Sequence, residues 1–149
     1  MTSQTPQRRG RRGAAAIEFA FVCLLFLITL IGTFELCRML LVFTTLANAC
    51  RVGVRYAAVH GNTNTGSGLS APSGPGNTIN VENIVRDYTR GSLIDTGNLA
   101  ITVEYPMGGA TANAPGSRVR VQVVYPYDPF FVLPLNVPLA SRTEGVIVY

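Results

Sequence analysis

The sequence predicts an α+β protein in which a long N-terminal transmembrane helix extends into an amphipathic stalk, followed by a short helix and a small antiparallel sheet of about three strands. Three observations support this fold class. A long apolar run follows a basic segment, a 3.5-residue apolar repeat continues after it, and the C-terminal third alternates apolar and polar residues. Apolar runs of about 20 residues span bilayers, whereas alternation is typical of half-buried strands. The 149 residues suffice for one modest domain.

The formal charge of +4 originates in residues 1–13. All 12 basic residues are arginine, and four of them precede Ala14. The arginines that remain beyond residue 13 balance the 8 acidic residues, so the rest of the chain is formally neutral. Proteins that bind nucleic acid concentrate basic residues on their folded part, so the composition argues against a nucleic-acid partner.

Residues 14–34, AAAIEFAFVCLLFLITLIGTF, form an apolar run whose single charged residue is Glu18. A helix of this length spans about 30 Å, the thickness of a bilayer core. The alternative, a buried core helix, is disfavoured because the rest of the chain is too small to surround it. The run is also longer than a typical signal-peptide core, and no A-x-A site follows directly after it. The arginines before the run predict a cytoplasmic N-terminus and an extracytoplasmic C-terminal part in a bacterial inner membrane.

The helix is predicted to cover residues 14–59, because residues 35–59 lack proline and continue with apolar residues at alternating spacings of four and three. This spacing is typical of a helix packed along a partner. The predicted packing seam consists of Leu36, Leu40, Phe43, Ala47, Cys50, Val54 and Ala57. A polar stripe runs beside it: Thr44, Asn48, Arg51 and Arg55. The seam has two possible packing partners: this chain's own C-terminal module and a helix of another subunit.

All three cysteines, Cys23, Cys37 and Cys50, lie on the predicted helix. Cys37 and Cys50 would be about 20 Å apart along its axis, whereas a disulfide requires Cα atoms within about 7 Å. We interpret the cysteines as small apolar residues. An intermolecular disulfide through Cys37 or Cys50 stays open, because the stalk would lie outside the cytoplasm.

Residues 60–79 are rich in Gly, Ser, Asn, Thr and Pro and are predicted to form a flexible linker. Residues 80–149 are predicted to form a small extracytoplasmic α+β module that leans on the long helix. The module begins with a short amphipathic helix, which Asn80 is expected to cap and Gly91 to end. The apolar face of this helix consists of Val81, Ile84, Val85 and Tyr88.

Strict alternation then predicts two antiparallel strands. The residues expected on their inner face are Leu99, Ile101, Val103 and Tyr105 in the first strand and Val119, Val121, Val123 and Tyr125 in the second. Glu104 is expected to face Arg118 or Arg120 across the pair. A third strand is predicted from about Ala140 to Tyr149. The apolar stretch 125–138 contains four prolines and has two interpretations, a lid over the core or a patch that contacts the membrane surface or a partner.

The sequence shows no catalytic constellation. The single histidine, His60, lies beside a glycine-rich loop and is interpreted as solvated. The cysteines are spread along one helix, the serines crowd the linker without a nearby base, and no glycine-rich phosphate loop follows a strand. We therefore predict a protein without enzymatic activity, cofactor, metal or small-molecule substrate.

The junction between the basic leader and the apolar run resembles the cleavage region of type IV pilin-like proteins. Gly13 precedes Ala14, which would place Glu18 and Phe19 at positions five and six of a chain that begins at Ala14. The resemblance implies that a prepilin peptidase cuts after Gly13 on the cytoplasmic side and removes residues 1–13. Pairing with a neighbouring subunit's new N-terminal amine would offset the cost of about 2.5 kcal/mol or more for placing Glu18 in lipid. In the alternative interpretation, Glu18 only extends to the headgroups.

Further residues narrow this resemblance to one family. The segments RRGAAAIEFA at 11–20, ELCR at 35–38 and ANACRVGVRYA at 47–57, together with Gly32, are similar to the TadE-like family. These proteins are minor pseudopilins of the tight-adherence (Tad), or Flp, pilus system. Glu35 and Arg38 match a family Glu-x-x-Arg pair, and the three-residue spacing places them on one helix face. Cys37 and Cys50 depart from the family pattern.

The resemblance implies a single-pass inner-membrane protein that takes part in assembly of the Flp pilus, which serves adhesion and biofilm growth. The implied partners are the prepilin peptidase, other pilins and pseudopilins, and the Tad secretion and assembly platform. The size of the outer module implies that the protein is not the bulk pilin. The alternative function is an uncleaved, membrane-anchored binding module of the cell envelope.

Overall fold

The computed structural model describes residues 9–68, 71–91, 95–109, 112–129 and 137–148. Its helices and strands are α1 (Arg9–Val59), α2 (Ile79–Arg90), β1 (Ala100–Glu104), β2 (Arg118–Tyr127) and β3 (Val137–Val146). The strands form one antiparallel sheet in the order β1-β2-β3. The predicted α+β fold class is therefore confirmed.

Helix α1 is continuous over 51 residues, and its two halves have different surroundings. Residues 13–34 are mostly exposed, whereas one face of residues 35–59 is buried. The helix begins at Arg9 and not, as predicted, at about Ala14. Arginine is a good helix former, so the basic segment extends the helix across Gly13.

The core lies between the second half of α1, α2 and the inner face of the sheet. Alternate residues of β2 form its centre, because every second side chain of a strand points to the same face. These buried residues are Val119, Val121, Val123 and Tyr127. Val81 and Val85 of α2 are fully buried beside them. The contribution of α1 consists of Val42, Leu46, Ala49, Cys50, Val54 and Ala57.

Two glycines allow the backbones of these elements to approach closely. A Cβ atom added at Gly53 of α1 would lie 2.7 Å from Cγ2 of Val85 in α2. A Cβ atom added at Gly145 of β3 would collide with Cγ1 of Val54 in α1. Glycine is therefore required at both positions for the observed packing of α1 on α2 and β3.

The outer face of the sheet carries a row of alternating charges. The strand register places Arg120 of β2 between Glu104 of β1 and Glu144 of β3. Arg120 donates from Nη1 to Glu104 Oε2 at 3.1 Å and from Nη2 to Glu144 Oε2 at 3.3 Å. The hydrogen bond from Arg120, followed by that from Arg118, lowers the pKa of Glu144. The predicted contact of Glu104 with Arg120 is confirmed, and one arginine links all three strands.

Helix α2 begins two residues earlier than predicted, because Thr78 and not Asn80 is its N-cap residue. The Thr78 hydroxyl donates to Glu82 Oε1 at 2.7 Å, and the Thr78 carbonyl accepts from the Glu82 amide at 3.0 Å. Asn80 lies in the first turn, and its side chain donates to the Gly68 carbonyl at 3.0 Å. Gly91 ends the helix as predicted, although its φ of −63° does not require glycine.

The buried face of α2 also differs from the predicted face. Val81, Val85 and Thr89 are fully buried, whereas Tyr88 is 42% exposed. The spacing of four places Thr89 above Val85 on one side of the helix. The Thr89 hydroxyl donates to the Val85 carbonyl at 3.1 Å, which satisfies its hydrogen bonding within the core.

The described part of the loop between α1 and α2 is attached to the turn before β2, although its composition predicts a flexible linker. The Asn62 amide donates to the Asn113 carbonyl at 3.0 Å, and the Asn113 side chain donates to the Ser73 carbonyl at 3.1 Å. The Ser73 amide donates to the His60 carbonyl at 2.7 Å. Ser73 is consequently 1% exposed.

His60 is half-buried and not, as predicted, simply solvated. Its ring stacks on Tyr56 with 4.0 Å between the ring centroids. Its Nδ1 atom also lies 2.9 Å from the Tyr56 carbonyl oxygen. These contacts give His60 a structural role at the end of α1.

Strands β2 and β3 extend further into the proline-rich stretch than predicted. Pro126 of β2 is paired with Pro138 of β3, and β3 covers Val137–Val146 in place of the predicted residues 140–149. The ladder to β1 ends at Val124, so Pro126 has no β1 residue opposite it. Residues 130–136, half of the stretch predicted as a lid or patch, lie outside the described residues.

We predict that Gly53→Ala lowers the stability of the folded module by about 1–3 kcal/mol, because the new methyl group overpacks the contact with α2. Gly32→Ala is the matched control, since a Cβ atom there has no neighbour within 4 Å. Thermal unfolding in detergent micelles, followed by circular dichroism, measures both effects. Equal midpoints for the two variants would contradict the close approach of α1 and α2.

Candidate membrane anchor and assembly surface

The N-terminal half of α1 exposes a continuous apolar surface. Apart from the half-buried Ile31, the large apolar residues from Ile17 to Phe34 are 52–70% exposed. Among the described residues, one helix is long and apolar enough to cross a membrane, and none of its most apolar window is buried within the protein. Exposure to water costs about 25 cal/mol per Å² of apolar surface, and a bilayer removes this cost. This half of α1 is thus suited to a lipid environment.

The residues predicted for processing and subunit register lie on this exposed half. Gly13, Ala14, Glu18 and Phe19 are all exposed, and Phe19 is 70% exposed. A Cβ atom added at Gly13 would have no neighbour within 4 Å. The described fold therefore imposes no requirement for glycine at this position.

Glu35, Arg38 and Tyr127 meet where α1 first contacts the sheet. Glu35 is 8% exposed, and its Oε1 atom accepts a hydrogen bond from the Tyr127 hydroxyl of β2. Arg38 Nη1 lies 3.5 Å from the same oxygen. The Arg38 guanidinium also lies 5.1 Å from the centroid of the Tyr127 ring, within the range of a cation–π interaction. The structure therefore joins the predicted Glu35 and Arg38 pair to a tyrosine of the sheet.

This boundary cluster, defined as Glu35, Arg38 and Tyr127, holds an acidic group inside the protein at the end of the apolar run. Burial, followed by the hydrogen bond with Glu35, raises the pKa of Tyr127 to about 12. A hydrogen bond to a charged group contributes about 1.5–3 kcal/mol. The Oε2 atom of Glu35 has no hydrogen-bond partner among the described residues. Loss of the Tyr127 hydroxyl would therefore leave the carboxylate with even less compensation for its burial.

Tyr127 was not among the predicted site residues, because it lies within the proline-rich stretch. Two signals could have found it. Tyr127 continues the two-residue alternation from Val123 through Tyr125. Glu35 also interrupts an otherwise apolar helix surface, and a buried acid requires a hydrogen-bond donor.

The structure divides the predicted packing seam between two environments. Cys50, Val54 and Ala57 are buried, and Ala47 is half-buried. Leu36, Leu40 and Phe43 are instead 60%, 58% and 46% exposed. A repeat of 3.5 residues drifts by about 20° per heptad on an α-helix of 3.6 residues per turn, so the seam moves from an exposed flank into the core. In the part of α1 that precedes Cys50, the buried apolar residues are Val42, Leu46 and Ala49. None of the three was in the predicted seam.

The cysteines also lie in different environments. Cys23 is half-buried, Cys37 is exposed and Cys50 is buried. The Cys50 thiol donates to the Ser141 carbonyl at 3.3 Å. Of the two cysteines left open for an intermolecular disulfide, only Cys37 is accessible in this fold. The described residues contain no group of three His, Cys, Asp or Glu side chains that could hold a metal ion.

Comparison with known proteins finds a match over the N-terminal part of the chain. Residues 13–55 match the model of the TadE-like protein family. The predicted resemblance to this family is confirmed by the match. The matched segment begins at Gly13 and includes both Glu35 and Arg38, whereas the sheet lies outside it. The match suggests a Tad pilus-associated membrane protein with an N-terminal membrane helix. No curated protein and no solved structure matches the chain.

We predict that the folded module loses stability as the pH rises from about 10 to 12. Tyr127 has a raised pKa in the folded state. Over this range the unfolded chain gives up the tyrosine proton while the folded protein retains it, so alkaline pH favours unfolding. Tyr127→Phe lacks this titration, so its thermal midpoint should fall less over the same range. Tyr88→Phe, at a site that is 42% exposed, is the control and should behave as the wild type. Identical pH profiles for all three proteins would contradict the hydrogen bond at Glu35.

Proposed function

We propose that this protein is a minor pseudopilin that a prepilin peptidase cleaves after Gly13 and that takes part in assembly of the Tad, or Flp, pilus. The observation that carries the proposal is the family match, which begins at Gly13. The exposed half of α1 adds support, because its surface is available for insertion into a membrane and for contact with other subunits.

The proposed orientation follows from charge. The arginines before Gly13 would keep the N-terminus in the cytoplasm, and α1 would carry the sheet module to the outer side of the inner membrane. Cleavage would remove residues 1–13, including the first turn of α1. Glycine lowers the cost of unwinding that turn by about 1 kcal/mol relative to alanine, which supports access of a peptidase to an extended backbone.

Glu18 has the proposed role of fixing the register between neighbouring subunits. It lies four residues after Ala14, about 6 Å along the helix axis. Glu18 is exposed on the N-terminal half of α1, which does not pack against the sheet. A carboxylate in lipid costs about 2.5–3.5 kcal/mol at the helix centre, so the new amine of an adjacent Ala14 would be a favourable partner.

After assembly, helices of neighbouring pilins or pseudopilins would pack on the exposed flank formed by Leu36, Leu40 and Phe43. This flank lies between the membrane segment and the buried part of the seam along α1. The Tad secretion and assembly platform would act on the membrane-embedded protein, and the resulting pilus would serve adhesion and biofilm growth. In this function the protein is structural and non-catalytic.

We predict that mass spectrometry of membranes from cells that also express the cognate prepilin peptidase finds a chain that begins at Ala14. Gly13→Val should block processing, because a β-branched side chain enters the cleavage site. Gly32→Val is the matched control and should be processed normally, since neither glycine has a neighbour within 4 Å of an added Cβ atom. An intact leader in the wild-type protein would favour an uncleaved binding module of the envelope.

We predict that Glu18→Leu leaves the protein cleaved and in the membrane but reduces the amount of sheared pili at least tenfold. The substitution removes the proposed partner of the N-terminal amine. Glu18→Asp keeps the charge and should retain more assembly than Glu18→Leu. Immunoblots of sheared pili and of membrane fractions separate loss of assembly from loss of the protein. Wild-type amounts of pili with Glu18→Leu would contradict the proposed register.

A further inference from the structure

We propose that, before assembly, the bilayer covers α1 as far as Phe43, and that the Tyr127 end of the sheet lies in the phospholipid headgroup layer. The apolar run alone predicts that the helix leaves the membrane at about Phe34. The proposal concerns the position of the folded module in the membrane, and it does not depend on cleavage after Gly13.

The fold buries or pairs the charged side chains at the end of the apolar run. Between Glu18 and Arg51, the charged residues of α1 are Glu35 and Arg38. Glu35 is buried beneath Tyr127 and is 8% exposed. The Arg38 side chain is 33% exposed and pairs with Glu35. The boundary cluster therefore reduces the electrostatic penalty that would otherwise stop lipid contact at residue 35.

The exposed surface of α1 remains apolar from the boundary cluster to Phe43. Leu36, Leu40, Leu41 and Phe43 are 46–60% exposed. Thr44 is exposed, but its hydroxyl donates to the Leu41 carbonyl at 2.9 Å. The exposed polar side chains that follow are Asn48, Arg51 and Arg55.

The length of this surface matches a complete bilayer. A helix from Ala14 to Phe43 is about 45 Å long. The hydrocarbon core of a bilayer is about 30 Å thick, and the bilayer with its headgroups is about 40–45 Å thick. The apolar surface of α1 is therefore long enough to cross the hydrocarbon core and both headgroup layers, including the layer on the side that carries the sheet.

The direction of the sheet brings one of its ends to the same level. Along β3, Gly145 faces Val54 and Ser141 contacts Cys50 of α1. Tyr127, which pairs with Val137 at the start of β3, contacts Glu35. The strands thus run beside α1, and the end formed by Tyr127 and Val137 is nearest the membrane segment.

This end of the sheet exposes apolar and aromatic surface, with the exposed Asp128 directly after Tyr127. Val137 is 38% exposed, Pro138 is exposed, and Tyr125 is half-buried. Tyrosine is enriched where hydrocarbon meets headgroups. The Arg38 guanidinium, which pairs with Glu35, is partly exposed and adds a positive charge at this end of the sheet. Continuity with the membrane segment favours lipid over a second protein chain as the occupant.

Site-directed spin labelling of the full chain in phosphatidylethanolamine and phosphatidylglycerol vesicles tests the proposal. Cys23→Ala and Cys37→Ser remove the reactive thiols, whereas Cys50 is retained because it is buried. Single cysteines are then placed at Leu40, at Val137 and, as a water-exposed control, at Asn48. Power saturation compares collisions of each nitroxide with oxygen and with a water-soluble nickel chelate present on both sides of the membrane.

The proposal expects the ratio of oxygen to nickel collisions at Leu40 to be at least fivefold higher than at Asn48, with an intermediate ratio at Val137. A Leu40 label as accessible to nickel as the Asn48 label would overturn it. Shielding of Leu40 from both reagents, with spin–spin broadening that disappears on dilution with unlabelled protein, would identify a second copy as the occupant and also overturn it. A lipid-exposed Leu40 with a fully water-exposed Val137 would overturn the placement of the sheet end.

Discussion

The burial of Glu35 at the end of the apolar run is the constraint on which the rest of the structure depends. A carboxylate at this position must be hydrated, neutralised or hydrogen-bonded. The fold meets the requirement by bringing the end of β2 against α1, so that Tyr127 donates to the carboxylate and Arg38 lies beside it. The boundary cluster therefore sets both the level at which the sheet begins and the face of α1 that it covers.

One consequence is that the membrane segment and the outer module share a single rigid helix. Val42, Leu46, Cys50 and Val54 of α1 belong to the same core as the inner residues of the sheet. A module of about 70 residues has little core of its own and depends on such a partner. Because α1 continues without interruption from Arg9 to Val59, a tilt of its lipid-facing half would also reorient the sheet. In the proposed function, this coupling would let the sheet module follow the packing of the membrane helix.

Periodicity predicted the long helix, the inner residues of the sheet and the contact of Glu104 with Arg120, because each depends on residues close in sequence or on simple alternation. The contacts that periodicity missed depend on pairing between distant segments. Tyr127 and Glu35, which are hydrogen-bonded, lie 92 residues apart in the sequence, and Asn113 and Ser73 lie 40 residues apart. Three residues of the predicted seam, Cys50, Val54 and Ala57, lie in the core. The seam prediction did not find Val42 and Leu46, because the helical repeat does not keep a 3.5-residue seam on one face.

A double-mutant cycle on Glu35 and Tyr127 tests the central role of the boundary cluster most directly. Unfolding free energies would be measured in detergent micelles for the wild type, Glu35→Gln, Tyr127→Phe and the double variant. The account predicts a coupling energy of about 1–3 kcal/mol, because each side chain loses its main partner when the other is replaced. Additivity within about 0.5 kcal/mol would contradict it, since it would show that the carboxylate and the hydroxyl contribute independently to the folded state.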